Sequence, residues 1–282
     1  MQFYHSVDLN VFCMGNKGKM TDWNPSQYLA FASEREKPAL DLMSHIAADD
    51  LHKIVDLGCG PGNSTALLRQ KYPKANITGI DSSPAMIDRA RTSGIAATFE
   101  IADVANWQPA NDVDLVFSNS LFQWIPHHPN VLLRIFNAMQ NGGTLAIQMP
   151  DNLAEPSHRV MRETATSGTW KTTLEKATSA RSPLGSATTY YDLFKPSASR
   201  LEVWRITYFH VLNGLQGIVD MLSSTGLRPF VEPLDAVARQ EFLQQYREAL
   251  APHYPLTIDG KVLLPFPRFF LVATRASTQA VL

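Results

Sequence analysis

Three aspartates carry the chemistry this sequence offers most openly: Asp56 in VDLGCGPG, Asp81 at the end of NITGID, and Asp103 in IADV. Each closes a short apolar run. Asp56 is followed by Gly58, Gly60 and Gly62, spaced two apart. A strand that ends in glycines ahead of a helix sets backbone N–H groups and a helix N-terminus at the carboxyl edge of a parallel sheet, where such folds bind ligands. In the dinucleotide fingerprint the third glycine comes one residue later and the helix faces a pyrophosphate. Here a carboxylate stands in front of the glycines, which would repel a diphosphate and suits an ammonium group. The expected ligand is therefore a nucleoside that carries an amino acid. Asp81 lies at the right remove to accept hydrogen bonds from both ribose hydroxyls. Asp103 can accept from an adenine amino group while the Val104 N–H meets a ring nitrogen. Taken singly, each acid could instead cap a turn or a helix and need no ligand. Their occurrence on consecutive strands is what favours one shared ligand.

Those acids need strands and helices to place them, and the pattern supplies both. KIVDLG, NITGID, ATFEIAD, VDLVFSNS and GTLAIQMP read as strands. NSTALLRQKY, SPAMIDRARTS and PNVLLRIFNAMQ read as the helices between them. The alternation predicts an α/β, doubly wound, mostly parallel sheet covered on both faces. After Pro150 come helical EPSHRVMRETATSGTWKTTLEKA and TTYYDLFKPSAS, a strand LEVWRITYFHV, two further helices, and a closing strand RFFLVATR. Before the first strand, Asn24 and Pro25 open a helix that Pro38 is expected to bend or break. The organisation expected is a leader at 1–19 outside the fold, disordered or artefactual, then a single domain at 20–282. Within it 50–150 form the cofactor-binding core, and 20–49, 151–187 and 211–265 form helical lid segments.

Bulk composition removes other classes. Formal net charge is −1 in 282 residues, and no block of basic residues draws in nucleic acid or anionic lipid. No apolar run approaches the roughly 20 residues that span a bilayer. With Cys13 and Cys59 the only cysteines and no HExxH among eight histidines, no disulfide framework and no metal site is expected. A reducing cytoplasm is the simplest setting. Cys59, between two glycines, reads as a small residue tolerated by the loop and not as a nucleophile.

VDLGCGPG, GIDSSPAMIDRAR, the AD pair and SNSLFQW together resemble the seven-stranded S-adenosylmethionine-dependent methyltransferases. The resemblance implies a Rossmann-like methyltransferase fold with strand order 3-2-1-4-5-7-6, the last strand antiparallel. It also implies S-adenosyl-L-methionine as cofactor, with the methionine portion over Asp56 to Gly62, ribose on Asp81 and adenine near Asp103. By the same likeness Ser82 and Met86 would line the ribose and adenine side, and Asn119 and Gln123 would lie near the sulfonium. Tyr28 and Arg35, on the early helix, would fold across the cofactor, with Arg35 reaching the methionine carboxylate; alternatively they pack or cap that helix.

Further segments, among them MTDWNPSQYLAFASER, NWQP, QWIP, AIQMPDN, YYDL, TGLRPF and LLPFPRFFLVATR, narrow the resemblance to the branch of this family that esterifies trans-aconitate. It runs from about Met20 to about Arg275, and the stretch around Gly168 to Ala187 departs from it. What it implies is methyl transfer to one carboxylate of a small polycarboxylate. A carboxylate with a pKa near 4 is already ionised at neutral pH, so no general base is expected. Holding a trianion calls for Arg, His, Tyr and amide donors. Candidates are Gln148, His158 and Arg162 one helical turn apart, Tyr208 and His210 on one face of a strand, and Arg228. Against this, His158 and Arg162 could form a solvated helix face, and Tyr208 and His210 could pack in the core. Other readings are a methyltransferase for another small or carrier-bound carboxylic acid, a non-catalytic cofactor-sensing protein, and a nicotinamide dehydrogenase. The last is disfavoured by the glycine spacing and Asp56.

Overall fold

A computed structural model describes residues 32–223 and 225–277. The chain runs α1 (Ala32–Ser44), β1 (Lys53–Leu57), α2 (Asn63–Lys71), β2 (Asn76–Asp81), α3 (Pro84–Arg91), β3 (Thr98–Ile101), β4 (Leu115–Asn119), α4 (His128–Ala138) and β5 (Thr144–Pro150). It continues through α5 (Pro156–Ser167), α6 (Lys171–Thr178), α7 (Ala187–Phe194), β6 (Ala198–Leu212), α8 (Gly214–Ser223), α9 (Arg228–Val231), α10 (Ala236–Leu250) and β7 (Val262–Arg275). One seven-stranded sheet results, in the order β3-β2-β1-β4-β5-β7-β6, as expected. β1 to β5 are parallel, and β7 lies antiparallel between β5 and β6.

β1 past its first residue and the whole of β5 are buried because helices cover both faces of the sheet. On one face Leu42 of α1 and Leu68 of α2 pack over Ile54, Phe117 and Phe270. On the other, Phe136 of α4 and Tyr190 and Phe194 of α7 pack over Leu145, Phe269 and Leu271. Ser83 caps α3 by accepting from the Met86 N–H at 3.2 Å, with Pro84 at the first helical position. Pro38 lies inside α1 without ending it. The expected long helix after Pro150 is instead two, α5 and α6, parted at Gly168.

β5 stops at Pro150, opposite Arg268, but β6 and β7 stay paired beyond it, from Thr207 with Pro267 to Leu212 with Val262. This two-stranded arm rises from the carboxyl edge of the parallel strands. One of its faces, with Leu212, Val262, Leu264 and Phe266, shares a second core with Trp170, Leu222, Phe242 and Tyr246 of the later helices. The arm therefore seats a helical layer over the edge where the glycine loop opens.

Candidate active site

The glycine loop leaves β1 in a run of left-handed turns: φ is +70° at Gly58, +54° at Gly60 and +99° at Gly62. A Cβ at Gly58 would come within 2.7 Å of Leu121, and one at Gly62 within 2.8 Å of Ile95. At Gly60 it would meet nothing, so the middle of the loop faces open space. Backbone conformation and close approach both account for the spacing read from the sequence.

Asp56 is fully buried beneath this loop, and its Oδ2 accepts from the Ser64 and Thr65 hydroxyls, each at 2.7 Å. Its Oδ1 has no hydrogen-bond partner among the described residues. Burial pushes its pKa up to about 7, against the pull of the two hydroxyls and with a further push from Asp81. Asp81 accepts from the Gly60 N–H at 3.0 Å and the Ser83 N–H at 2.9 Å, which ties the end of β2 to the loop. Ser82 beside it is exposed and Met86 is buried. Asp103 accepts from the Ala105 N–H and from Asn106 Nδ2, both at 3.0 Å, so both of its oxygens cap a local turn, and Val104 is buried. Cys59 is buried among Ile87, Ala90 and Phe99, and burial raises its thiol pKa far out of the reactive range. Tyr28 lies outside the described residues, as does the segment 1–19. Arg35 lies on α1, and its side chain is also outside them.

Next to the loop, at the carboxyl ends of β4 and β5, a cleft opens. Asn119 ends β4 opposite Gln148 on β5, on the sheet face that carries Arg268 one step further along β7. Ser120, Gln123 and Trp124 line it together with Asn152, His158, Arg181, Phe266 and Arg268. Arg268 Nη1 donates to Ser120 Oγ at 2.9 Å and to Gln148 Oε1 at 3.2 Å, and its guanidinium lies 4.9 Å from the centre of the Phe266 ring. Arg181 stacks over Trp124 at 5.3 Å and donates to Asn152 Oδ1 and Pro150 O, both at 3.2 Å. The Arg181 Nε is sealed from solvent without a partner among the described residues. Arg162 donates to Leu153 O at 2.8 Å and joins Arg181 in the grooves just outside the cleft.

Electrostatics sets this cleft apart from the loop. Burial, then Arg162, pushes the Arg181 pKa down to about 10. Asp151, which favours its charge, is itself paired with Arg205 at 2.7 Å. Burial, then Arg181 and Arg162, holds the His158 imidazole well below its ordinary range, so it stands neutral at pH 7. Gln123 Oε1, Gln148 Nε2, Asn152 Nδ2 and Arg162 Nη1 are buried without partners among the described residues. Two guanidinium groups close enough for one to disfavour the charge of the other, with unsatisfied amides around them, have the chemistry to receive an anion with several oxygens.

Of the six residues read as acceptor ligands, the structure brings Gln148, His158 and Arg162 to this cleft or its mouth. It places the other three elsewhere. Tyr208 turns toward α1 and donates to Asp41. His210 is buried on the arm, its ring edge-on to Phe266 at 5.4 Å. Arg228 pairs with Glu232 one turn along, at 2.6 Å. Strand alternation put Tyr208 and His210 on one face correctly, but that face is closed by α1 and the arm packing. Ser120, Asn152, Arg181 and Arg268 were not anticipated. Arg268 owes its position to the β5–β7 register, which periodicity does not reveal, and Arg181 stands in a polar stretch without a pattern.

This sheet order, the glycine loop on β1 and the acid closing β2 define a Rossmann-like methyltransferase, and the family described as a methyltransferase domain matches residues 48–188. Phosphoethanolamine N-methyltransferase 2 of Haemonchus contortus, solved in complex with S-adenosyl-L-methionine, shares the fold: the TM-score is 0.55 at 16% identity, over 90% of this chain and 57% of that one. The trans-aconitate 2-methyltransferase of Methylobacterium nodulans is 48% identical, covering 91% of this chain and 99% of its own. That of Escherichia coli is 44% identical over the same shares. The chain belongs to the trans-aconitate 2-methyltransferase family.

Proposed function

We propose that this protein is an S-adenosylmethionine-dependent carboxyl O-methyltransferase that converts trans-aconitate to its monomethyl ester and S-adenosylhomocysteine. The observation that carries the acceptor is the meeting of Arg181, Arg268 and neutral His158 around one cleft beside the glycine loop, with Arg162 in the groove just outside it. The residues present fit the cofactor as well. Open space over Gly60 admits a backbone-hugging ligand, and the unpartnered Asp56 Oδ1 suits an ammonium. Asp81, tied to the loop by two backbone N–H groups, sets its carboxylate at the end of β2 where ribose hydroxyls would meet it. Asp103 spends both oxygens on its own turn, so the adenine side rests more on the Val104 backbone and on Met86. Asn119 and Gln123 stand at the boundary between loop and cleft.

When bound, the cofactor supplies a sulfonium methyl whose transfer to a carboxylate oxygen leaves a thioether. The protein's own task is to seat an already ionised acid. Arg181, on Trp124, and Arg268, on Phe266, approach the cleft from two sides and can each take a carboxylate. His158, being neutral, can donate from Nε2 without adding charge when the Ser157 hydroxyl donates to its Nδ1. Alignment at near-attack distance can supply several kcal/mol of barrier reduction, of the order seen for well-oriented intramolecular reactions. No proton has to move, so no base is required. The segments 151–187 and 211–265 serve as a lid over this edge, packed on the β6–β7 arm within a single domain. Among the described residues no helix is long and apolar enough to cross a membrane, and a cytoplasmic setting accords with a sequence that has only two cysteines.

Incubation with S-adenosylmethionine and a panel of trans-aconitate, cis-aconitate, citrate and isocitrate tests the reading. Mass spectrometry should show trans-aconitate gaining one methyl in place of a proton. Methylation of none of these acids, with turnover of a monocarboxylic or carrier-bound acid, would overturn it.

A further inference from the structure

We propose that Ser120 is a positioning residue of the acceptor cleft, whose hydroxyl sets the Arg268 guanidinium and the Gln148 amide as one carboxylate-receiving face. The proposal deepens the function given above and rests on it. Among the described residues only Ser120 and His127 are non-glycine residues with left-handed backbone, and Ser120 has φ +68°. An L-residue there is strained, whereas glycine adopts the conformation freely. Its backbone bonds do not explain a serine. The Ser120 N–H donates to Gln148 O at 2.9 Å, and the Ser120 carbonyl accepts from Gln123 Nε2 at 2.6 Å. Glycine would keep both.

Only the hydroxyl belongs to serine. It donates to Gln148 Oε1 at 3.0 Å and accepts from Arg268 Nη1 at 2.9 Å. Arg268 Nη1 also donates to the same Gln148 oxygen at 3.2 Å, which closes a three-membered ring of side chains from β7, β5 and the end of β4. With Gln148 Oε1 fixed as acceptor of both bonds, Nε2 of that amide is fixed as a donor, and it has no partner among the described residues. The left-handed turn at the end of β4 thus points a hydroxyl back at two groups that neighbouring strands bring to the edge. Arg268, held by this ring and against Phe266, lines the cleft. Removing the hydroxyl leaves the guanidinium in place but free to tilt, so the acid binds with less alignment.

Two variants of the full-length enzyme separate positioning from structure. Ser120→Gly removes the hydroxyl and the strain together, and Ser120→Ala removes the hydroxyl alone. Both should raise the KM for trans-aconitate about tenfold, as loss of one hydrogen bond on a charged group predicts. The KM for S-adenosylmethionine should be unchanged, and the Tm of the glycine variant should equal or exceed that of the wild type. Calorimetric binding of trans-aconitate in the presence of S-adenosylhomocysteine should weaken by the same factor. That measurement does not depend on ester formation, so a failure of turnover in the wild type would count against the assigned reaction and not against Ser120. Unchanged acid affinity in both variants, or affinity losses that merely track losses in Tm, would overturn the proposal.

Discussion

Asp56→Asn tests the most unusual charge in the molecule. Asp56 is buried completely, with two hydroxyls on one oxygen and none on the other, and its pKa rises from 3.8 to about 7. The folded protein therefore keeps a proton that the unfolded chain gives up above about pH 4. Stability contributed by this group is full below about pH 4 and is lost as pH rises through about 7. About three pH units at about 1.36 kcal/mol each make the loss roughly 4 kcal/mol. Urea unfolding of the ligand-free protein between about pH 5 and 8 should show wild-type stability falling across this window, and the Asn variant should show a flatter profile. The same proton reports on ligand placement. If an ammonium binds against Oδ1, it stabilises the carboxylate and drives the proton off, so binding of S-adenosylmethionine near pH 6 should release close to one proton. Titration calorimetry in two buffers of different ionisation heat counts that proton, and in Asp56→Asn it should vanish. Parallel stability profiles for wild type and variant would refute the burial argument. Binding without proton release would refute the ammonium placement and leave the stability argument intact.

Arg181→Gln should weaken trans-aconitate roughly tenfold to a hundredfold, the range for one hydrogen bond to a charged group, while the Kd for S-adenosylmethionine holds; a site for a monoacid would be far less sensitive, and steady-state kinetics distinguishes the two. Tyr208→Phe should leave the KM for the acid unchanged and lower stability by about 1 kcal/mol, because its hydroxyl serves Asp41 and not the cleft; kinetics and thermal unfolding together check it.

How far the sequence foretold this molecule depends on whether each signal is local. The loop was legible because a buried run, an acid and spaced glycines are contiguous, KIVDLGCGPG carrying its geometry in ten residues, whereas the strand order came from the resemblance to the seven-stranded methyltransferases and not from any local signal. Gln148 and His158 were legible as candidates because one stands toward the end of a strand and the other near the start of a helix, and Arg162 because it lies one turn beyond His158. Tyr208 and His210 shared a face as alternation requires, yet alternation cannot say which face a distant helix will cover, and α1 claims that of Tyr208 through Asp41. Arg268 becomes a cleft residue only through a strand that reverses direction and pairs Pro150 with Arg268. Ser120 is invisible for a different reason, since a left-handed serine has no compositional mark in a sequence where asparagine and glycine are the usual signs.

On the function proposed above, the two ends of the site would select by opposite charge, and this would limit what can enter. At the loop, Asp56 and Asp81 disfavour phosphates and admit a ligand with a cationic amino acid end. Across the boundary at Asn119 and Gln123, Arg181, Arg162 and Arg268 favour an acid with more than one carboxylate. A burial cost is built into each pole: Asp56 is pushed toward neutrality, and Arg181 is pushed down to about 10. Ligands that bring the missing countercharge relieve both costs, so binding at either pole is coupled to a strain the protein alone already bears. An acid carrying a single carboxylate would satisfy only one guanidinium and leave the repulsion between Arg181 and Arg162 largely in place. Selection for polycarboxylates therefore follows from relief of the charge in the cleft as much as from the hydrogen bonds the acid makes there, and it should weaken as soon as either arginine is made neutral.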